Sequence, residues 1–352
     1  MKDLILKLEK NRFLDDDAFK ALLTDGREET LHFLNERADC IRKKVYATDV
    51  YIRGLIEFTN YCKNDCYYCG IRRSNTAAER YRLSEEQIME CCAAGYELGF
   101  RTFVLQGGED AYFTDERLID IIRCIKRSYP DCAVTLSIGE RDYSSYKAFF
   151  DAGADRYLLR HETADTEHYS RLHPAWLSLE NRKKCLYDLK NIGFQVGCGF
   201  MVGSPYQTVE NIISDLKFIK EFNPHMVGIG PFIPHKATPF ANFQQGSFEL
   251  TLKLLSIIRL MLPGVLLPAT TALGTIHPNG REMGILAGAN VVMPNLSPVQ
   301  VRKKYTLYDN KICMGEEAAE SIAVLKSKLD NLGYKISVHR GDYKGESCEK
   351  SH

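Results

Sequence analysis

Tyr61-Cys-Lys-Asn-Asp-Cys-Tyr-Tyr-Cys-Gly70 sets Cys62, Cys66 and Cys69 in a C-x3-C-x2-C spacing. A loop this short can bring three thiolates onto one small inorganic centre. Thiolates are soft ligands that suit iron–sulfur clusters or zinc. A structural zinc wants four protein ligands, commonly as two C-x2-4-C pairs. No fourth Cys or His follows nearby. Three ligands and one open position is therefore the natural reading, as in a 4Fe-4S cubane whose fourth iron takes a small molecule. The competing readings are a zinc loop or three unrelated thiols.

With Tyr68 before the last cysteine, the spacing resembles the signature of the radical S-adenosylmethionine (SAM) enzymes. The resemblance implies that the open iron chelates the amino and carboxylate groups of SAM. It also implies reductive cleavage to a 5′-deoxyadenosyl radical. The cofactor carries the hard chemistry and the protein positions it.

The 352 residues are 45% apolar, enough for one large buried core. The length suits an α/β barrel with extensions. Lys+Arg and Asp+Glu both total 46. This balance argues against a nucleic-acid binder and against a polybasic membrane contact. Twelve cysteines are scattered apart from the loop and Cys91-Cys92. That is no disulfide framework, and a cytoplasmic location is expected. Residues 1–19 alternate apolar and charged residues, without the apolar stretch of a signal peptide. No uninterrupted apolar run is long enough to span a membrane.

Residues 1–48 read as a helical lead-in, with Leu4, Leu6 and Leu8 flanked by charge and a second pattern from Glu29 to Val45. From residue 50, short Val/Ile/Leu/Thr runs alternate with amphipathic segments. Strands are expected near 51–58, 102–107, 132–138, 155–160, 194–201, 225–230, 265–270 and 289–294. Helices are expected near 84–98, 115–129, 142–152, 180–192, 207–222, 248–262, 280–287 and 297–304. Such alternation implies a parallel sheet with crossover helices, and eight units imply a closed (β/α)8 TIM barrel over 49–304. Ser84-Glu-Glu-Gln87 predicts a capping box, and Gly99 a helix stop. A C-terminal helical extension is expected over 305–340, its helix near 316–332, followed by a disordered polar tail over 341–352.

Ligands of such barrels sit at the C-terminal strand ends, where the cysteine loop follows strand one. Strand two ends in Gln106-Gly-Gly-Glu-Asp110, where Gly107 and Gly108 allow close backbone approach to a ligand or make an ordinary turn. Strand four ends in Arg160-His161-Glu162, and alternation puts Arg160 and Glu162 on one face. That pair is a structural ion pair or a cofactor contact. Arg182, at the next helix start, is a second partner for a carboxylate. Thr135, Ser137, Met201, Met226, Thr270, Thr271, Met293 and Asn295 fall near other strand ends, each a weak signal alone. His173, His235 and His277 lie in loops, where solvation is the usual fate. Cys91, Cys92, Cys124 and Cys185 read as small helix-borne hydrophobes.

Longer segments narrow the resemblance. Tyr157–Thr163, Met226–His235, Pro268–Ala272, Gly288–Asn295 and Tyr305–Cys313 look like the FeFe-hydrogenase maturase HydE family, and the likeness runs to about residue 335. It implies a SAM-dependent step in assembling the di-iron site of FeFe-hydrogenase, acting on a cysteine-bound iron carbonyl/cyanide complex. It implies SAM contacts at Tyr68, Gly107, Gly108, Glu109, Ser137, Arg160, Glu162 and Arg182; Met201 and Met226, from their strand-end positions, are also expected to bind the cofactor. It implies a substrate end lined by Thr135, Thr270, Thr271, Met293 and Tyr305. Implied partners are the tyrosine-cleaving maturase, the scaffold GTPase and a one-electron donor such as ferredoxin or flavodoxin. Some members carry a second cluster on C-x7-C-x2-C. Here Cys313 fits the first position, but Ser321 and Val324 occupy the others, so one 4Fe-4S cluster per chain is expected. The alternatives are a methylornithine synthase-type mutase and a non-catalytic iron–sulfur scaffold. Biotin synthase would need a second cluster inside the barrel, and no set of strand cysteines could hold one.

Overall fold

A computed structural model describes residues 1–312 and 318–345. Three helices lead in: α1 (Lys2–Asn11), α2 (Asp16–Thr24) and α3 (Glu28–Tyr46). Ile5 and Leu8 bury one side of α1, and Leu34, Ala38 and Ile41 bury one side of α3. The Asp15 carboxylate caps α2 by accepting from Ala18 N at 2.9 Å. This layer packs on the barrel's outer helices, α3 against the helix Phe248–Met261 and α2 against the helix Val209–Phe222.

The barrel follows as β1 (Asp49–Ile52), β2 (Gly54–Thr59), α4 (Glu85–Glu97), β3 (Thr102–Gly107), α5 (Asp115–Ser128), β4 (Ala133–Ser137) and α6 (Tyr143–Asp151). Next come β5 (Arg156–Leu158), α7 (Thr166–Leu172), α8 (Leu179–Ile192), β6 (Gln195–Cys198), β7 (Met201–Val202) and α9 (Val209–Phe222). The circuit ends with β8 (Met226–Val227), β9 (Gly230–Pro231), α10 (Phe248–Met261), α11 (Thr271–Ile276), α12 (Gly280–Leu286), β10 (Val291–Val292) and α13 (Val299–Arg302). Every named strand pairing is parallel, in the order β2-β3-β4-β5-β6-β8, with β10 beside β1. The expected capping box is formed, with Ser84 N–H donating to Gln87 Oε1 at 3.0 Å and Gln87 N–H to Ser84 Oγ. Gly99 stops α4 at a φ of 87°.

Four expected strands are broken. Strand one divides at Arg53. Strands five and six kink where Gly199, at φ 152°, passes Gly228; a Cβ on Gly199 would sit 2.0 Å from the Gly228 carbonyl oxygen. Strand seven, expected over 265–270, survives as two single bridges, Met226 to Leu266 and Pro268 to Val291. Pro268 has no N–H for a ladder. Those bridges, with Leu55 to Asn295, carry the ring round to its start.

The C-terminal segment holds helix α14 (Ala318–Asn331) and a strand not foreseen from sequence, β11 (Lys335–Ser337), parallel to β1. The expected disordered tail must be corrected for 341–345. Asp342 accepts from buried Arg156 at 2.6 Å and from Gln195 at 2.9 Å, so these residues cross the N-terminal end of the barrel. Buried Arg156 needs that carboxylate, which polarity alone could not reveal. Residues 346–352 lie outside the described residues. Among the described residues no helix is long and apolar enough to cross a membrane.

Candidate radical SAM active site

The loop after β2 is shaped by its own polar side chains. Asp65 accepts from Arg72 Nε at 2.6 Å and from Ser74 N and Oγ at 3.0 and 2.6 Å. Arg72 and Ser74 hold its carboxyl well below the usual range. Arg80 gathers four loop carbonyls, those of Asn60, Ile71, Arg72 and Asn75. The glycines of the neighbouring strand end admit this loop: a Cβ on Gly108 would lie 2.2 Å from the Tyr61 carbonyl oxygen and 2.8 Å from Cys62 Cβ. Gly107 and Gly108 therefore already have a structural task, whatever they meet in a ligand.

Cys62, Cys66 and Cys69 line one end of a cavity of about 350 Å³ at the C-terminal mouth of the barrel. Among the described residues no three His, Cys, Asp or Glu side chains converge tightly enough to chelate one ion. A lone zinc therefore fits poorly, whereas a cubane gives each thiolate its own iron. Burial pushes all three thiols up, Cys69 to about 12, and the neighbouring thiols add to this for Cys66 and Cys69. Only a strongly cationic centre would hold them as thiolates.

The walls come from successive strands in register. Glu57, Gln106 and Ser137 are paired neighbours on β2, β3 and β4, and all three line the cavity. Gly107, Gly108, Glu109, Tyr68, Arg160, Glu162, Arg182, Met201, Thr270, Thr271, Met293 and Tyr305 line it too. Thr135 and Met226 do not. Thr135 lies two residues below Ser137, about 6.6 Å down a parallel strand. With Arg53, Met226 and Met293 it walls a separate void of about 20 Å³. Met226 is a neighbour of Arg53, whose Nη1 lies 2.9 Å from its sulfur. The expected placement of Thr135 and Met226 in the main cavity is thus corrected by strand layering.

The charged groups divide into satisfied and unsatisfied. Arg182 donates to Glu140 at 2.5 Å and to the Arg160 carbonyl at 3.1 Å. Asp110 is taken up by Arg82 and Thr59. Arg160 Nη2 stands 3.1 Å from Glu162 Oε2, yet the angle is wrong for a hydrogen bond. Arg160 Nε and Nη2 and Glu162 Oε2 are therefore buried without a hydrogen-bond partner among the described residues. Glu162 has a left-handed φ of 65°. Behind it, fully buried His161 meets Asp215 at 3.2 Å and accepts from Gly199 N at 3.2 Å. That network turns Arg160 and Glu162 inward, as alternation predicts.

Sequence reading missed several residues. Two loop histidines are not solvated. His173 is buried, donates through Nδ1 to the Tyr169 carbonyl and accepts from the Tyr68 hydroxyl at 3.0 Å. His235 is buried against Gly70. Glu57, 1% exposed, pairs with Lys311 at 2.5 Å and accepts from Asn295 at 2.8 Å. Buried Arg53 has two guanidinium nitrogens without partners among the described residues. A lone Glu or Arg in an apolar strand carries no motif, so only the fold could reveal either. Cys313 lies outside the described residues, while Val324 sits exposed on α14.

Residues 56–219 match the Radical SAM superfamily. The chain is 44% identical to the [FeFe] hydrogenase maturase subunit HydE of Thermotoga maritima, over 95% of each chain. It belongs to the HydE-type radical SAM maturases. It is also 30% identical to the 3-methylornithine synthase of Methanosarcina acetivorans, over 91% of this chain and 89% of that one. The crystal structure of methylornithine synthase superposes with a TM-score of 0.82 at 28% identity, covering 95% of this chain and 97% of that one. Family membership makes an iron–sulfur cluster and SAM the cofactors of a HydE-type chain. The thiol-ended cavity with unsatisfied charge beside it fits them.

Proposed function

We propose that this enzyme cleaves SAM reductively and acts on a cysteine-bound iron carbonyl/cyanide complex during assembly of the FeFe-hydrogenase active site. One observation carries the reading: a single cavity joins three thiols at one end to Arg160 and Glu162, and Arg160 Nε and Nη2 and Glu162 Oε2 are buried without hydrogen-bond partners among the described residues. When bound, a 4Fe-4S cluster on Cys62, Cys66 and Cys69 supplies the electron that splits SAM. Arg160 takes the SAM carboxylate, because its guanidinium is less engaged than that of Arg182. Glu162 would accept from ribose hydroxyls, and the turn of Gly107 and Gly108 would take the amino group. Tyr305, Thr270, Thr271 and Met293 close the substrate end against water. Glu57, neutralised by Lys311, keeps that end from repelling an anionic complex. Arg53, beneath Met293, adds attraction for negative charge from below. The expected protein partners are the tyrosine-cleaving maturase and the scaffold GTPase.

The test is a hydrogenase maturation assay lacking only this protein. Hydrogen production restored by adding it supports the maturase reading. No restoration, with an amino-acid isomer formed instead, would move the chain to the methylornithine synthase reaction that its 30% relative performs. Iron binding without SAM cleavage would leave a scaffold.

A further inference from the structure

The outer face over the cluster loop carries aromatic rings beside basic groups. Trp176, the chain's one tryptophan, is 60% exposed. The Arg73 guanidinium carbon lies 5.5 Å from its ring centroid. Tyr206 and Phe243 are also exposed, with rings 5.3 Å apart, and Arg171 stands 5.2 Å from Tyr206. Phe240, buried beneath them, meets Tyr67 of the cluster loop at 6.2 Å. Tyr67 N–H donates to the Leu172 carbonyl at 3.0 Å. Isolated surface aromatics are normal; an aromatic group rimmed by cations marks a contact surface.

The charge on this face has a sign. The carboxylates of Asp65 and Glu109 are buried, facing Arg72 and Lys63, and Glu167 offsets Arg171. Asp309 accepts from Lys236 N and lies 3.8 Å from His235. Arg73 and Lys236 are exposed, and neither has an ion-pair partner among the described residues. Lys236 follows His235, which packs on Gly70, so both surplus cations flank the loop that carries the cysteines. Cys66 and Cys69 lie one and two residues from Tyr67, whose ring packs on Phe240, so this loop is the protein layer that joins the face to the thiols.

We infer that this face docks an acidic one-electron carrier protein that reduces the cluster site. The inference rests on the reading that the three thiols hold a redox cluster. One electron leaves the reduced carrier, which is oxidised by one, and enters the site behind Cys66 and Cys69. Arg73 and Lys236 steer the carrier, and Trp176, Tyr206 and Phe243 supply the dry contact.

The test pairs a binding measurement with a rate comparison. Anaerobically prepared protein is titrated calorimetrically with an oxidised acidic ferredoxin at low ionic strength. One-to-one binding is expected, weakened roughly tenfold in the Arg73→Glu/Lys236→Glu double variant and also by added salt. SAM cleavage is then driven either by reduced ferredoxin or by dithionite, a small reductant that needs no docking. The double variant and Trp176→Ala should each slow the ferredoxin-driven rate roughly tenfold and leave the dithionite-driven rate unchanged. Unaltered binding in the variants overturns the inference, as does equal slowing with both reductants. Wild-type protein that cleaves no SAM with dithionite sinks the functional reading instead, and the titration still decides the docking face.

Discussion

Arg160 and Arg182 are both arginines on the wall of one cavity, yet they stand in different states. Arg182 is engaged by Glu140, whereas Arg160 keeps buried nitrogens unsatisfied. An unsatisfied buried donor is costly unless a ligand takes it. Arg160→Ala is therefore expected to weaken SAM binding at least tenfold, about 1.4 kcal/mol or more, while the melting temperature shifts by no more than a few degrees. Equilibrium binding and thermal unfolding on one preparation check this; a large drop in melting temperature with SAM affinity kept would favour the structural ion pair. His173 gives a pH test. Burial, aided by the Arg182 charge, pushes it down to about 3. Above the unfolded value near 6.5 both states are neutral and the group contributes nothing. Below it the unfolded chain takes up a proton that the folded chain refuses, so stability falls by up to about 1.4 kcal/mol per pH unit towards pH 3. His161, His168, His225 and His235 are depressed by burial too and add to that slope. Melting curves of wild type and His173→Gln between about pH 8 and pH 5 should differ in slope, the variant being flatter; equal slopes would mean that His173 is not held neutral. Most of these residues were legible, because Cys62, Cys66 and Cys69 carry a spacing and Arg160 and Glu162 an alternation. Glu57, Arg53 and His173 were not, because their meaning comes from partners far away in sequence.

At the scale of elements, the stretch from Lys304 to Lys311 works as a strap across the cavity mouth. Its carbonyls accept from Asn60 at 2.7 Å through Lys304 and from Gly70 N at 2.8 Å through Leu307, and Asp309 N–H donates to the Pro234 carbonyl. Lys311 fastens the end, giving one bond to Glu57 and one to the Tyr305 carbonyl. With Lys311 7% and Glu57 1% exposed at the side chain, removing one partner leaves a buried charge alone. Lys311→Met should cost about 3–5 kcal/mol. Adding Glu57→Gln should recover much of the loss. Denaturant melts of the two single variants and the double variant measure the coupling; additive losses would show that the pair is not a unit. Helix ends were legible because a capping box is written in four residues. The breaks in strands one, five, six and seven were not, since they arise where Gly199 meets Gly228 and where Pro268 leaves the ladder.

At the scale of the whole molecule, eight parallel units close around one core, with the thiols at one end and β11 and residues 341–345 across the other. The closed barrel was legible from alternation alone. Its floor was not, because a Gly-Asp-Tyr-Lys-Gly run looks solvated until buried Arg156 is seen to need Asp342. On the proposed reading, three thiols hold the cluster and one of its irons would stay unclaimed by protein; the proposed chemistry depends on that open position. The most direct test is the electron paramagnetic resonance spectrum of the anaerobically prepared, reduced protein with and without SAM. A signal reshaped by SAM, and lost altogether in Cys66→Ala, is the predicted result. A spectrum indifferent to SAM would mean that no iron is open to the sulfonium cofactor, contradicting the account.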